Sequence, residues 1–348
     1  VLPLPPALHA LCFPKLTALR AELLPPESLE SWYPVSLAPG QTLAEAARLG
    51  ALAILFFSCR QVSRASVWYA VFLSGSLVAL IGLVQFILGV DRILGLYVPM
   101  DQPPDEYRPV AVLLGTFVNP NHQAGLFLVS LGAGAALIRR SLSKLRGLER
   151  PAGRDLSDLA IGNILVALIA VALMLTYSRA GMTMLGALVL VSVLSFLKSG
   201  AFKGTTAALL CLPVAALLAL FAWSRVNFSV SWSELATLTT PEGHDKLRVL
   251  LEHRNLLPFS HALGLGRGSI SSLLPLTSTI PSGRTMTHVE SMPIVLVLEY
   301  GAVLGSVILI GVLTWFVRAF RARHDASSTL ILATLAAICC QNFVDFNL

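Results

Sequence analysis

Long apolar runs alternate along the chain with short basic segments, and one polar stretch, from about Arg225 to Glu290, interrupts them. Crossing hydrocarbon as a helix takes roughly 20 apolar residues, because lipid offers no partner to an unpaired backbone group. The pattern predicts about eight spans. They run from about Ala44 to Ser58, Val67 to Val90, Gln123 to Ile138, Leu159 to Tyr177, Met182 to Leu197, Thr205 to Trp223, Met292 to Val317 and Ser327 to Phe346. The expected fold is an all-α, polytopic transmembrane helical bundle. Residues 1–42 are expected as a proline-rich outer loop, since eight prolines at that density oppose one continuous helix. Residues 43–348 form a single transmembrane domain in this reading, and 224–290 are its large outer loop.

The basic clusters orient the bundle. Arg139, Arg140, Lys144, Arg146, Arg150 and Arg154 form the densest one. If it is cytoplasmic, alternation also places residues 59–66, 198–204 and 318–326 inside, and these are the short loops that hold the remaining Lys and Arg clusters. The opposite short loops carry only Arg92, Arg108 and Arg179. The polar stretch, the loop containing Asn119 to His122, and the Ser178–Arg179 turn then face outward.

Composition agrees with the pattern. The chain is 55% hydrophobic and 13% charged, with a mean hydropathy of +0.75, too little polar surface for a soluble domain of this length. A net charge of +6 would suggest nucleic acid in a soluble protein, but here it reports topology, and no nucleic-acid partner is expected. The five cysteines have neither metal spacing nor a disulfide pattern. The chain starts at Val1 and stops at Leu348 directly after an apolar run, and is expected to be a fragment.

Candidate chemistry concentrates in the outer segments. His244 to Leu257 follows Pro241 and Gly243 with leucines at helical spacing, which predicts an amphipathic helix bearing Arg248 and Glu252 away from the leucine stripe. Gly264 to Ser269 (GLGRGS) can form either a backbone nest for phosphate, around Gly264, Gly266 and Arg267, or a plain turn. Glu299 lies about two turns into a span, where an acidic group costs about 2.5–3.5 kcal/mol unless it faces protein or water. Arg179, in the tight Tyr177–Gly181 connection, can snorkel to headgroups or present its fork to a lipid-linked phosphate. Asn119, Asn121 and His122 can contact substrate or simply cap the next helix.

Five short motifs occur in order: FVNPNHQAGLFL, TYSRAGM, KLRVLLEHRNLLPFSHALGLGRGS, THVESMPIVLVLEYGAVLG and NFVDFNL. In that order the chain resembles the O-antigen ligase and O-antigen polymerase superfamily of bacterial envelope glycosyltransferases, over roughly residues 110–348. The resemblance implies a multi-pass protein of the bacterial inner membrane with its active face and large loop in the periplasm. It implies transfer of a glycan from an undecaprenyl-diphosphate donor to an acceptor hydroxyl, with no cofactor and no metal. Arg179 matches the arginine of the short SRxG turn, Arg248 the arginine that opens the loop motif, and His288 the histidine ahead of the Glu299–Tyr300–Gly301 sequence. Two positions depart from the common pattern: Arg267 replaces a proline or small residue, and HVESM replaces a histidine followed by Asn and aromatic or leucine residues.

Those residue types suit the implied reaction. Leaving diphosphate gains negative charge that Arg179 and Arg248 can stabilise, and His288 can take the proton of the attacking hydroxyl. Direct displacement would invert the anomeric centre. Asn119, Asn121, His122, Gly264, Gly266, Arg267, Glu299 and Tyr300 are the candidate substrate contacts. The expected acceptor is a lipid A core sugar, as in a ligase. The alternatives with the same chemistry are another glycan, as in a polymerase of O-antigen or exopolysaccharide, and protein, as in an O-oligosaccharyltransferase. A polysaccharide transporter, in which the polar loop is a gate, is the rival of a different class. Membrane lipids surround the bundle in every case.

Overall fold

The computed structural model describes residues 3–90, 92–97, 113, 115–145, 153–198, 253–260, 262–277, 291–322 and 326–343. Among these the chain is mostly helical. Five helices are long and apolar enough to cross a membrane: Pro39–Cys59, Arg64–Ile87, Pro120–Leu145, Leu156–Met174 and Met292–Arg321. Two shorter apolar helices, Ala180–Ser192 and Ser328–Cys340, coincide with two further expected spans. The expected span from Thr205 to Trp223 lies outside the described residues, as does most of the large loop. The chain divides into two compact units.

The first unit contains residues 1–61 and 239–318. Where residues 1–42 are expected only as a proline-rich outer loop, residues 3–42 carry short helices: α1 (Pro6–Cys12) and α2 (Pro14–Leu23) are followed by a 3-10 turn (Pro26–Glu30). A two-stranded antiparallel pair, β1 (Pro3–Leu4) and β2 (Tyr33–Pro34), closes the segment. The prolines explain the difference. Pro6, Pro14, Pro26 and Pro39 each stand at the first position of a helix, where the missing N–H is not needed and the fixed φ favours the turn. Phe13 and Leu16 of this segment are buried with Leu256, Leu265, Ile270, Leu273, Val295 and Leu298 in one apolar core. The rest of the unit comprises α3 (Pro39–Cys59), a helical stretch described below, and most of the helix that begins at Met292.

The second unit is built around α5 (Pro120–Leu145), which packs against α4 (Arg64–Ile87), α6 (Gly153–Met174) and α7 (Arg179–Lys198). Small residues set these close approaches, as expected for helices whose attraction in lipid comes from packing. A Cβ built on Gly134 would stand 2.6 Å from the Phe72 ring and 2.8 Å from Val166. Gly75 leaves room for Ser130, whose hydroxyl donates to the Leu126 carbonyl at 2.9 Å. Phe127, Leu128, Ile169 and Leu173 fill the space between, all fully buried. Helix α4 begins three residues before the expected Val67, because Ser63 caps it by accepting from the Ser66 N–H at 3.1 Å.

Of the expected amphipathic helix over His244 to Leu257, residues 244–252 lie outside the described residues and only the end is described. There, His253–Leu256 is a 3-10 turn and α8 (Leu257–Ser260) a single α turn with Pro258 in its first positions. After α9 (Ile270–Thr277) comes α10 (Met292–Arg321), and α11 (Ala326–Phe343) ends the described chain.

Candidate functional site

Helix α10 is broken. Gly301 has φ 86° and ψ 161°, a conformation essentially reserved for glycine. In one straight helix, Leu296 and Gly305 would be separated by about 13 Å along the axis. Here a Cβ built on Gly305 would stand 2.7 Å from the Leu296 carbonyl oxygen, so the second half passes against the first at that point. The break frees the carbonyls that residues 301–303 would otherwise engage.

The GLGRGS loop takes those carbonyls. Leu265 donates its N–H to Leu298 O and Gly266 donates to Glu299 O, each at 3.0 Å, and Ser260 Oγ donates to Val297 O at 2.9 Å. Gly264, Gly266 and Gly268 all have positive φ, between 74° and 85°. A side chain at Gly264 would collide with the backbone at Glu299–Gly301, and one at Gly301 with Ala262 O. Loop and break therefore interlock through glycine at both places.

Glu299 completes the lock from the side. Its carboxylate accepts from Arg267 Nη1 at 2.5 Å with one oxygen and from the Gly268 N–H at 2.8 Å with the other. Burial pulls the Arg267 guanidinium down, but the hydrogen bond and charge of Glu299, helped by Glu45, outweigh it and hold the pKa above its usual value. Residues at the start of α3 cover the loop. Thr42 Oγ1 donates to Arg267 O at 3.0 Å, Leu37 N–H donates to Leu265 O at 3.2 Å, and Glu45 Oε2 lies 4.0 Å from Arg267 Nε. Of the two readings of GLGRGS, a phosphate nest or a plain turn, the hydrogen bonds match a turn tied down within the chain. The N–H groups of residues 264, 265, 266 and 268 are taken by the chain's own carbonyls and by the Glu299 carboxylate, which is the anion in this cradle.

In the second unit the structure brings two other motifs together. Asn119 Oδ1 accepts from the Asn121 N–H at 2.8 Å, and Pro120 opens α5, so Asn119 caps that helix. His122 follows in the first turn. Ser178 caps α7 by accepting from the Gly181 N–H at 3.0 Å, which makes Arg179 the first helical residue. Its side chain lies outside the described residues. A Cβ built on Gly181 would stand 2.7 Å from that of Ala124 on α5, so the SRAG turn packs on the NHQAG turn. Leu113 donates its N–H to Leu175 O at 3.0 Å and joins the same junction.

Gly264, Gly266, Arg267, Glu299 and Tyr300 are therefore neighbours in one unit, and Asn119, Asn121, His122 and the Arg179 backbone in the other. Arg248 and His288 lie outside the described residues. Sequence reasoning missed the contribution of α3, whose Thr42 and Glu45 precede an apolar run. It also missed the break, for which Gly301, two residues after the buried Glu299, was the one available signal. Among the described residues no group of three His, Cys, Asp or Glu could hold a metal ion. In comparisons with known proteins, no protein-family model, no curated protein and no solved structure matches this chain.

Proposed function

We propose that the protein transfers a glycan from an undecaprenyl-diphosphate donor to an acceptor hydroxyl at the outer face of the bacterial inner membrane, in the manner of an O-antigen ligase. The reading rests on five motifs in order, and one structural observation supports it best: GLGRGS and EYG, separated in sequence, interlock through paired glycines and the Glu299 carboxylate. In this reading Arg179 and Arg248 stabilise the departing diphosphate, and His288 removes the proton of the attacking hydroxyl. The anomeric carbon exchanges its bond to phosphate oxygen for one to the acceptor oxygen, with inversion.

The broken helix bears on the transporter alternative, because transporters place ions against unwound backbone. Here the carbonyls of Val297, Leu298 and Glu299 are already occupied by Ser260, Leu265 and Gly266. That arrangement favours a rigid scaffold over an ion site. Purified protein in liposomes, given a lipid-linked glycan and an acceptor, is expected to yield joined product with inverted configuration by NMR. Uptake of glycan into the vesicles without any transfer would instead favour the transporter.

A further inference from the structure

The lock around Glu299 continues to the surface. Glu45 uses Oε1 to accept from Arg48 Nη1 at 2.5 Å and directs Oε2 toward Arg267 Nε at 4.0 Å, while Arg267 is hydrogen-bonded to Glu299. Two guanidinium groups and two carboxylates thus alternate in a row. Their exposure alternates with their charge. The side chains of Arg48 and Arg267 are 68% and 32% exposed, whereas those of Glu45 and Glu299 are 21% and 4% exposed. The carboxylates lie beneath and the guanidinium groups face outward. An approaching ligand meets positive charge, held in place from below.

Guanidinium groups pre-oriented by carboxylates suit phosphate oxygens, because the fork is planar and always charged and its remaining N–H groups need no further ordering. Arg267 has five N–H donors, and among the described residues one of its nitrogens makes a hydrogen bond. We infer that Arg48 and Arg267 together form a subsite for a phosphate-bearing headgroup, with Glu45 and Glu299 as its positioning residues. This deepens the proposed function and rests on it for one of two sources, the diphosphate of the glycan donor. An anionic phospholipid offers the same chemistry.

The test measures binding of undecaprenyl diphosphate and of uncharged undecaprenol to the full chain in nanodiscs of zwitterionic lipid, and of phosphatidylglycerol in the same discs. The parent is expected to prefer the diphosphate over undecaprenol by tenfold or more. Arg48→Gln, at an exposed position, is expected to reduce that preference at least threefold without lowering the unfolding temperature. Arg267→Gln is expected to reduce it further, and Arg267→Lys to restore part of it. If the variants weaken phosphatidylglycerol binding equally, the subsite takes membrane headgroups; if they spare it, the subsite takes the donor. A parent preference that survives both Gln variants overturns the subsite and leaves the proposed function standing. A parent with no preference for either phosphate-bearing lipid overturns the subsite and removes the donor reading as well.

Discussion

Glu299 accepts from Arg267 Nη1 at 2.5 Å and from the Gly268 N–H at 2.8 Å, so one buried carboxylate ties a loop to the break in its own helix. Losing it leaves the guanidinium and an amide without their partner. Glu299→Ala is expected to lower stability by about 2–4 kcal/mol, the range for a broken, partly buried charged pair. Glu299→Gln, which still accepts hydrogen bonds, should lose about half as much. Thermal unfolding in detergent checks both, and an unchanged midpoint for Glu299→Ala would contradict the lock.

Two glycines of α10 should respond differently. Gly301→Ala forces a Cβ into Ala262 O at a φ of 86°, and is expected to cost about 3 kcal/mol or more. Gly311→Ala meets nothing within 4 Å in a helical segment and should be neutral or stabilise by up to about 1 kcal/mol. Unfolding midpoints of the two variants, measured side by side, test the break directly.

The amino-terminal helices carry their own pH dependence. His9 is buried and accepts from Arg20 Nη1 at 2.7 Å through Nε2, while Nδ1 faces Thr17 Oγ1 at 3.0 Å. The Thr17 hydroxyl donates to Phe13 O, so Nδ1 carries the proton and the ring is neutral. Burial, then the Arg20 charge, lowers the His9 pKa from 6.5 to about 4. A depressed folded pKa means that the unfolded chain takes up the proton first. Stability is therefore full above pH 6.5 and falls as the pH drops toward 4, by about 3 kcal/mol in total. Hydrogen exchange of α1 and α2 between pH 7 and 4 should show this loss, and His9→Gln should flatten it.

The junction of α5 and α7 depends on Gly181. Gly181→Val would drive two methyl groups against Ala124, with an expected cost of about 1–3 kcal/mol for overpacking. Gly186→Ala, also on α7 but with nothing within 4 Å, serves as the control. Equal unfolding midpoints for both would contradict close packing of the SRAG and NHQAG turns.

How much of this was legible follows from the physics at each place. The spans were, because a run such as Val67 to Ile87 has no other stable solution in lipid or in a core. The helices of residues 1–42 were not, because a proline that breaks a helix interior is the same residue that opens one, and spacing alone does not say which. The break at Gly301 was hidden by an apolar run continuing on both sides of it. Gly264, Gly266 and Glu299 were visible as unusual residues. Their mutual engagement depends on contacts across more than thirty positions, which periodicity does not carry. Glu45 and Arg48 were invisible for the same reason.

The most direct test of the proposed reaction is glycan transfer from an undecaprenyl-diphosphate donor in liposomes, with EDTA present, comparing the parent with Arg248→Ala and His288→Ala. The account predicts transfer by the parent and a loss of at least a hundredfold in each folded variant. Full activity in both variants would contradict it.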